Sequence, residues 1–437
     1  MNKIENLKPT KYRFMIAEDD PYLRKTYTQR FYQISKKRLI PIEIHEASFG
    51  EQSIRLLEKY VFQFSSFDQS MPFSKDENEV HEDIGFNIAK NSLNYSPFIL
   101  GRIFTAFPNH VFSGDITELG LRYYDKENYS PQTYAEMFLS DIVKFERFAI
   151  WEMAAEKLPH CLAEFAYRIL RNSDHERKLQ QSIPLWETGI RLKFILLLCI
   201  CSHLNIEINL KGNNILKNGR FDNGAVSFAT NKIFHEIIEH LSGNSYGSIS
   251  LELNRFWGDE YLHNALHNMQ LIRNYVAHST KIGSGALRGL FLEQITNIVQ
   301  SIISFSFWAR HPIVHDISIV PVGAVNRMKY TVCSREGEKR PGNTVSVRSD
   351  ILSKIVIDPK KPYQFFNRLD NVESPPFIVP LYPLLRLEYN NEGIPSIWIA
   401  DNPKLNTYNN PLTDLKKKFN DSDLSDWWAE NLNNQIF

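Results

Sequence analysis

Two sets of side chains in this sequence have the types and spacing for chemistry. The first is acidic. "AEDDP" places Glu18 and Asp19 directly after the apolar run "YRFMIA", and "FDQSMP" places Asp68 after another run. Three carboxylates at one point repel unless a cation joins them, and an all-oxygen set suits Mg²⁺. A carboxylate beside Mg²⁺ can accept a phosphoryl group. A hydroxyl and an ammonium must then hold the phosphate; Thr105, ending "FILGRIFT", and Lys126, after "LRYYD", provide them. The second set lies in "LIRNYVAHST", which carries Arg273, Asn274 and His278. Metal-free RNA cleavage needs a proton acceptor for the 2′-hydroxyl, a donor for the leaving oxygen and a cation on the phosphate. Histidine titrates near neutral pH and performs either proton transfer. Arginine offers phosphate a planar fork.

Other readings of the second set stand beside that one. His278 could close a helix C-terminus, with Gly283 and Gly285 ending the pattern. His263 and His267 in "HNALH" share a helix face, but lack the Glu of a zinc-protease motif and a third ligand. All three residues could also be solvated. On a straight helix Arg273 and His278 stand about 140° apart, whereas Asn274 and His278, at i and i+4, share a face and Asn274 could orient the imidazole. The angle suggests a groove, formed with a second chain. "WETGIR" offers Glu187 as a further acid, though an intrahelical pair with Arg191 is the simpler reading.

Three regions must position these groups. Residues 1–145 alternate strand candidates ("YRFMIA", "IPIEIHEA", "YVFQFS", "FILGRIFTAF", "HVFSGD") with helix candidates, which predicts a parallel α/β sheet. Ligands of such sheets bind at the carboxyl ends of the strands, where Glu18, Asp19 and Asp68 fall. The last helix, "SPQTYAEMFLSDIVKFERF", is expected to run on into the next region. Residues 146–310 carry helical periodicity almost throughout, interrupted by the Asn/Gly-rich loop or lid 209–227. Residues 311–437 break into short strand-like runs, predicting a small β-rich domain. There "DLKKKF" reads as a solvated helix face, and Ser422 or Ser425 as the N-cap of a short aromatic helix.

In their order, the first region's motifs resemble a response-regulator receiver domain. "IAEDDP" looks like the acidic pair, "DQSMP" like the phosphoacceptor Asp68 with Met-Pro, "TAF" like the switch Thr105, and "YYDKENYSP" like the Lys126 segment with a switch aromatic at Tyr123. The resemblance implies a doubly wound, flavodoxin-like fold, Mg²⁺ on Glu18, Asp19 and Asp68, and a histidine kinase partner. Departures are Glu127 where the family has Pro, the polar Gln63, Ser65 and Ser66 before Asp68, and the long loop "FSKDENEVHED". "RNYVAH" fits the R-x4-H signature of the HEPN superfamily, near the start of a late helix, within an all-helical bundle. That resemblance implies a homodimer with a composite, metal-independent endoribonuclease site built from Arg273, Asn274 and His278. It also implies a toxin or effector role, such as anti-phage defence with a defence-system partner. A non-catalytic signalling adaptor, whose helical domain binds a nucleotide or a protein, is the alternative; a DNA-binding regulator is a third reading, against which stands the lack of a helix-turn-helix signature.

Composition bounds these readings. Lys+Arg and Asp+Glu are both 50, so no global basic field attracts nucleic acid, and any such contact needs a local patch. The bases and aromatics of "KKPYQFFNR" and "SREGEKRPG" offer one, with solvated loops the simpler reading. The start has no apolar targeting segment, and the longest apolar run, "FILLLCICSHL", is too short to span a bilayer and reads as a buried helix. Cys161, Cys199, Cys201 and Cys333 form no zinc spacing and read as core thiols. A cytoplasmic, soluble protein without membrane contact is expected.

Overall fold

The strand β1, Tyr12–Ala17, is buried at every position, which requires cover on both faces of its sheet. The computed structural model supplies it. It describes residues 4, 6–77, 79–106, 120–207, 221, 223–243, 246–279, 282–322, 325–335, 343–347, 357–358, 360–366, 377–389 and 395–432. The strand candidate "HVFSGD", most of the loop 209–227, "KIVIDP" up to residue 356 and all but the first two residues of "SREGEKRPG" lie outside these.

Contacts divide the chain into two compact units, residues 1–151 with 255–306, and residues 152–254 with 307–437. The helical segment 146–310 is thereby shared between them.

In the first unit β1 is joined by β2 (Ile42–Ala47), β3 (Phe64–Phe67), β4 (Leu100–Thr105) and β5 (Arg122–Asp125). All pair in parallel, in the order β2-β1-β3-β4-β5. This is the flavodoxin-like doubly wound order. The helices α1 (Pro21–Arg38), α2 (Gly50–Lys59) and α3 (Ile84–Tyr95) follow β1, β2 and β3, and the helix Pro131–Lys144 follows β5. Alternation sorts the β1 side chains. Phe14 stacks with Phe64 at 4.8 Å and meets Phe31 of α1 and Phe138, while Met15 and Ala17 join Leu57, Phe86 and Ile88 on the opposite face. The helix Pro131–Lys144 continues through a π-helical turn, Phe145–Ala149, into the helix Ile150–Lys157, as its unbroken periodicity predicted.

Two of the three polar residues of the β3 segment are satisfied without solvent, while the buried Ser65 hydroxyl has no hydrogen-bond partner among the described residues. Gln63 Oε1 accepts the Arg13 N–H at 2.7 Å, and the Ser66 and Tyr134 hydroxyls hydrogen-bond. The charged Arg102 of β4 is also buried; it pairs with Asp141 and lies 4.3 Å from the Phe138 ring centroid.

The helices Glu260–His278 and Ser284–Phe305 pack against each other and hold the strand-entry segment through buried amides. Asn268 accepts from Lys8 N and donates to Lys8 O, both at 2.8 Å, and also donates to Asn297; Asn264 donates to Pro9 O and Gln300 to Lys11 O. Asp259, the N-cap of the first of these helices, pairs with Arg13. Asn268→Ala is expected to remove both Lys8 backbone bonds and the buried bond to Asn297, at a cost of about 1–3 kcal/mol, read as a fall in the midpoint of chemical denaturation.

The segment "FAIWEMAAEKLPHCLAEFAYRIL", which reads as one helical pattern, is broken within the second unit at Leu158-Pro159, because proline cannot continue a helix from its preceding turn. The helix His175–Leu204 buries Phe194 to Cys201, and all four cysteines are free and buried. Among the described residues no helix is long and apolar enough to cross a membrane. Two antiparallel sheets follow. One orders Phe377–Pro380, Tyr363–Phe366, Ile313–Val322, Val325–Val332 and Asn343–Val347; the other is a meander of Leu385–Tyr389, Pro395–Asn402, Thr407–Asn410 and Leu415–Lys418. The expected helix at "DLKKKF" is therefore wrong: Leu415–Lys418 is an exposed strand paired with Thr407–Asn410, and lysines on an edge strand discourage further pairing. Ser422 holds the N-cap position of Asp423–Asn431, but its hydroxyl donates to Asp426 instead of accepting a backbone N–H.

Candidate functional site

The carboxyl ends of β1, β3, β4 and β5 converge. Glu18 follows β1 and Asp68 follows β3; their N–H groups extend the sheet ladder to Ala47 O at 3.0 Å and Ala17 O at 2.8 Å. This places both carboxylates on one edge, with Asp19 beside them. One ligand atom from each of the three lies within 4.8 Å of the other two. The third acid of the run, Asp20, is used otherwise: its Oδ1 accepts the N–H groups of Tyr22 and Leu23 and caps α1. Lys126 N donates to Thr105 O at 2.7 Å, so the last residue of β4 sets the position of the lysine.

Lys126 Nζ lies 2.8 Å from Glu18 Oε2 and 2.7 Å from Asp68 Oδ2. Two buried carboxylates thus share one ammonium. Burial, then the charge of Asp68, pushes the Glu18 carboxyl up to about 8. Burial also raises Asp68, against the pull of Lys126. Burial lowers Lys126, but the two carboxylates outweigh it and its pKa is raised. Tyr123, on β5, is pushed up to about 12 by burial and by Asp125, with the Thr105 hydroxyl opposing. The three carboxylates are hard oxygen donors and fit Mg²⁺, whose charge would offset the repulsion that raises Glu18.

The raised Glu18 pKa has a consequence for stability. Between the ordinary 4.5 of Glu18 and its raised value of about 8, the folded chain holds a proton that the unfolded chain has lost. Glu18 therefore stabilises below this window and loses that contribution as pH rises through it. In EDTA, the difference in unfolding free energy between the wild type and Glu18→Gln is expected to shift against the wild type from pH 5 to pH 8. A difference constant with pH would contradict this.

Residues without a sequence signal complete the site. Gly85, in the first turn of α3, donates its N–H to Gln69 O at 3.0 Å, and a Cβ there would lie 1.8 Å from Asp68 O. Arg24, on α1, donates to the carbonyls of Glu18 and Asp19 and so fixes the acidic turn. The long loop after Asp68 is fastened, since Pro72 O and Phe73 O accept the N–H groups of Gly50 and Glu51 at the start of α2. Glu127, where a proline is usual in receivers, donates its N–H to Asp125 Oδ1 at 2.8 Å, a bond proline cannot make.

Arg273, Asn274 and His278 are arranged differently from expectation. They occupy the end of the helix Glu260–His278, not its start, because Asp259 caps that helix and His278 is its last residue. Asn274 Oδ1 accepts from Arg273 Nη1 at 3.3 Å. It thus holds the arginine, while the exposed His278 has no partner among the described residues. Gly283 does not close this helix; it N-caps the next one. Arg191, paired by sequence with Glu187, reaches Asp401 at 3.8 Å. His263 and His267 join no three-ligand group among the described residues.

No family model and no curated protein matches the chain. Solved structures similar to its N-terminal part are receivers. A CheY-like receiver domain protein from Methanospirillum hungatei JF-1 is 16% identical over 31% of this chain and 98% of its own, with a TM-score of 0.26. The isolated receiver domain of RcsB from Salmonella enterica serovar Typhimurium, with phosphomimetic BeF3⁻, is 18% identical over 31% and 89%, with a TM-score of 0.25. A Burkholderia pseudomallei response regulator, with a phosphorylated aspartic acid and a calcium ion, is 13% identical over 30% and 74%, with a TM-score of 0.20. The five-stranded parallel sheet and its strand order give this part a receiver-like fold in their own right.

Proposed function

We propose that the α/β part of the first unit is a phosphorylation-responsive switch with Asp68 as phosphoacceptor, and that it controls an effector site at Arg273, Asn274 and His278 on a helix of the same unit. The observation that carries the first half is the Lys126 ammonium bridging Glu18 and Asp68 at the carboxyl edge of the sheet. Glu18, Asp19 and Asp68 would hold Mg²⁺, which when bound screens the phosphoryl oxygens from the carboxylates. An Asp68 oxygen attacks the phosphorus of a phosphodonor, forming the acyl phosphate as the donor's leaving group departs. Lys126 and the Thr105 hydroxyl then have the reach and chemistry to bind the new phosphoryl oxygens. Recruitment of Thr105 removes its hydroxyl from beside Tyr123 and changes the setting of that ring. Incubation with acetyl phosphate and Mg²⁺, followed by intact-mass spectrometry, is the direct test; an unmodified chain contradicts the reading.

For the effector half, an RNA endonuclease site of HEPN type fits best. The half-buried Arg273 is held by Asn274 while His278 stays exposed at the helix end, so one helix end offers a phosphate-binding group and a proton-transfer group on different faces. A second copy of the chain would complete the groove. In this reading Arg273 binds the scissile phosphate, Asn274 holds Arg273, and His278 transfers protons, with no metal in the cleavage step. His278→Ala is expected to reduce RNA cleavage in EDTA by at least about 100-fold, the contribution of one general acid or base. Equal cleavage by both chains, or none by either with and without acetyl phosphate, contradicts it and favours the adaptor.

A further inference from the structure

The helix α1 departs from the neutral balance of the chain. Its sequence, "PYLRKTYTQRFYQISKKR", holds six Lys or Arg and no Asp or Glu, whereas the whole chain holds 50 of each sign. Arg24 is committed to the acidic turn. The other five, Lys25, Arg30, Lys36, Lys37 and Arg38, are exposed, and none has a carboxylate partner among the described residues. Elsewhere in the same unit some exposed cations have one, such as Arg55 and Lys144, and others, such as Lys75 and Lys90, have none among the described residues.

Two aromatic residues lie among these cations. Tyr22 is 76% exposed and Tyr32 is 45% exposed, against the buried Tyr27, Phe31 and Ile34 of the same helix. At about 100° per residue, Tyr22, Lys25, Gln29, Tyr32 and Lys36 fall within one stripe of about 80°, opposite the buried face. Cations alternate with rings along it. An acidic protein surface would pair with the cations and the tyrosine hydroxyls, but its carboxylates would not stack on the ring faces. A single-stranded nucleic acid uses both elements, its phosphates on the cations and its bases on the rings.

We propose that the outer face of α1 is a docking surface for single-stranded RNA, bound through its phosphates and stacked on Tyr22 and Tyr32. It supplies the local patch that a chain of zero net charge needs for such a partner. The choice of RNA over DNA rests on the endonuclease reading; the surface itself does not.

The test uses the full chain carrying His278→Ala, to suppress cleavage, and the fluorescence anisotropy of a labelled oligouridine. Charge reversal by Lys25→Glu and Lys36→Glu together, the two cations of the stripe, touches only exposed side chains, and circular dichroism checks the fold. Affinity is expected to fall by at least about tenfold, and the log–log salt slope by about 1.4, at roughly 0.7 for each phosphate that is no longer neutralised. Tyr22→Ala with Tyr32→Ala is expected to weaken oligouridine by about tenfold while leaving heparin, which has no bases, unchanged. Equal oligouridine binding by wild-type and charge-reversed α1 overturns the proposal. So does an unchanged affinity in the tyrosine variant, or binding of anionic vesicles without binding of oligouridine. Tighter binding of oligothymidine than of oligouridine overturns the choice of RNA. Absence of cleavage by the wild type with oligouridine binding intact contradicts only the endonuclease reading, and cleavage by a wild type that does not bind through α1 contradicts only this one.

Discussion

Asp68→Asn is expected to leave no acyl phosphate after incubation with acetyl phosphate and Mg²⁺, where the wild type is modified. The amide is close in shape to the carboxylate but has no nucleophilic oxygen, so the loss is chemical and not structural. Stability separates the two. Asp68 is one of two buried carboxylates sharing Lys126. Its charge is a cause of the raised Glu18 pKa, second to burial. Removing it leaves Glu18 and Lys126 as a simple pair, and a buried like-charge repulsion is relieved. The melting temperature of Asp68→Asn at pH 8 in EDTA is therefore expected to equal or exceed that of the wild type. A variant that loses both phosphate and stability would show that Asp68 serves the fold, and a variant still phosphorylated would place the acceptor elsewhere.

Gly85→Ala is expected to be the most damaging small substitution near the site. The added methyl would lie 1.8 Å from the Asp68 carbonyl oxygen. That atom belongs to the backbone between β3 and α3 and cannot rotate away. Either α3 retreats or the Asp68 backbone shifts, and overpacking of this kind costs about 1–3 kcal/mol, occasionally more. Gly101 is the control. A Cβ there meets Leu121 Cδ2 at 2.6 Å, the end of a flexible side chain, so Gly101→Ala is expected to cost less. Denaturant midpoints measure both. Gly85→Ala is also expected to slow acetyl phosphate incorporation more than Gly101→Ala, because only Gly85 touches the acceptor residue. The reverse ranking in either assay would show that the approach of α3 to Asp68 is not what holds the site.

Part of the site was readable because short-range rules govern it. Parallel strands end where apolar runs end, so Glu18 and Asp68 had to reach one edge once the α/β alternation was recognised. The same holds for Lys126 after β5. Where sequence reading failed, the deciding contacts lay outside the periodicity of the segment itself. "DLKKKF" carries no local signal against a helix; it is a strand because Thr407–Asn410 pairs with it. Asn274 was expected to orient His278, but the nearer partner is the guanidinium of its chain neighbour Arg273. Gln63 and Ser66 looked unsuited to a central strand until Arg13 and Tyr134 supplied their hydrogen bonds.

By itself the sequence determined the parallel α/β pattern, the acidic edge with its lysine, the buried thiols, and the cationic content of α1, all of which follow from periodicity, strand ends and composition. Only the tertiary structure decided that a glycine of α3 abuts the acceptor, that two carboxylates share one ammonium, and that buried amides of a distant helix pair clasp Lys8 to Lys11. Those facts depend on which surfaces exclude water from one another. Burial sets both the cost of an unmatched charge and the value of a matched amide.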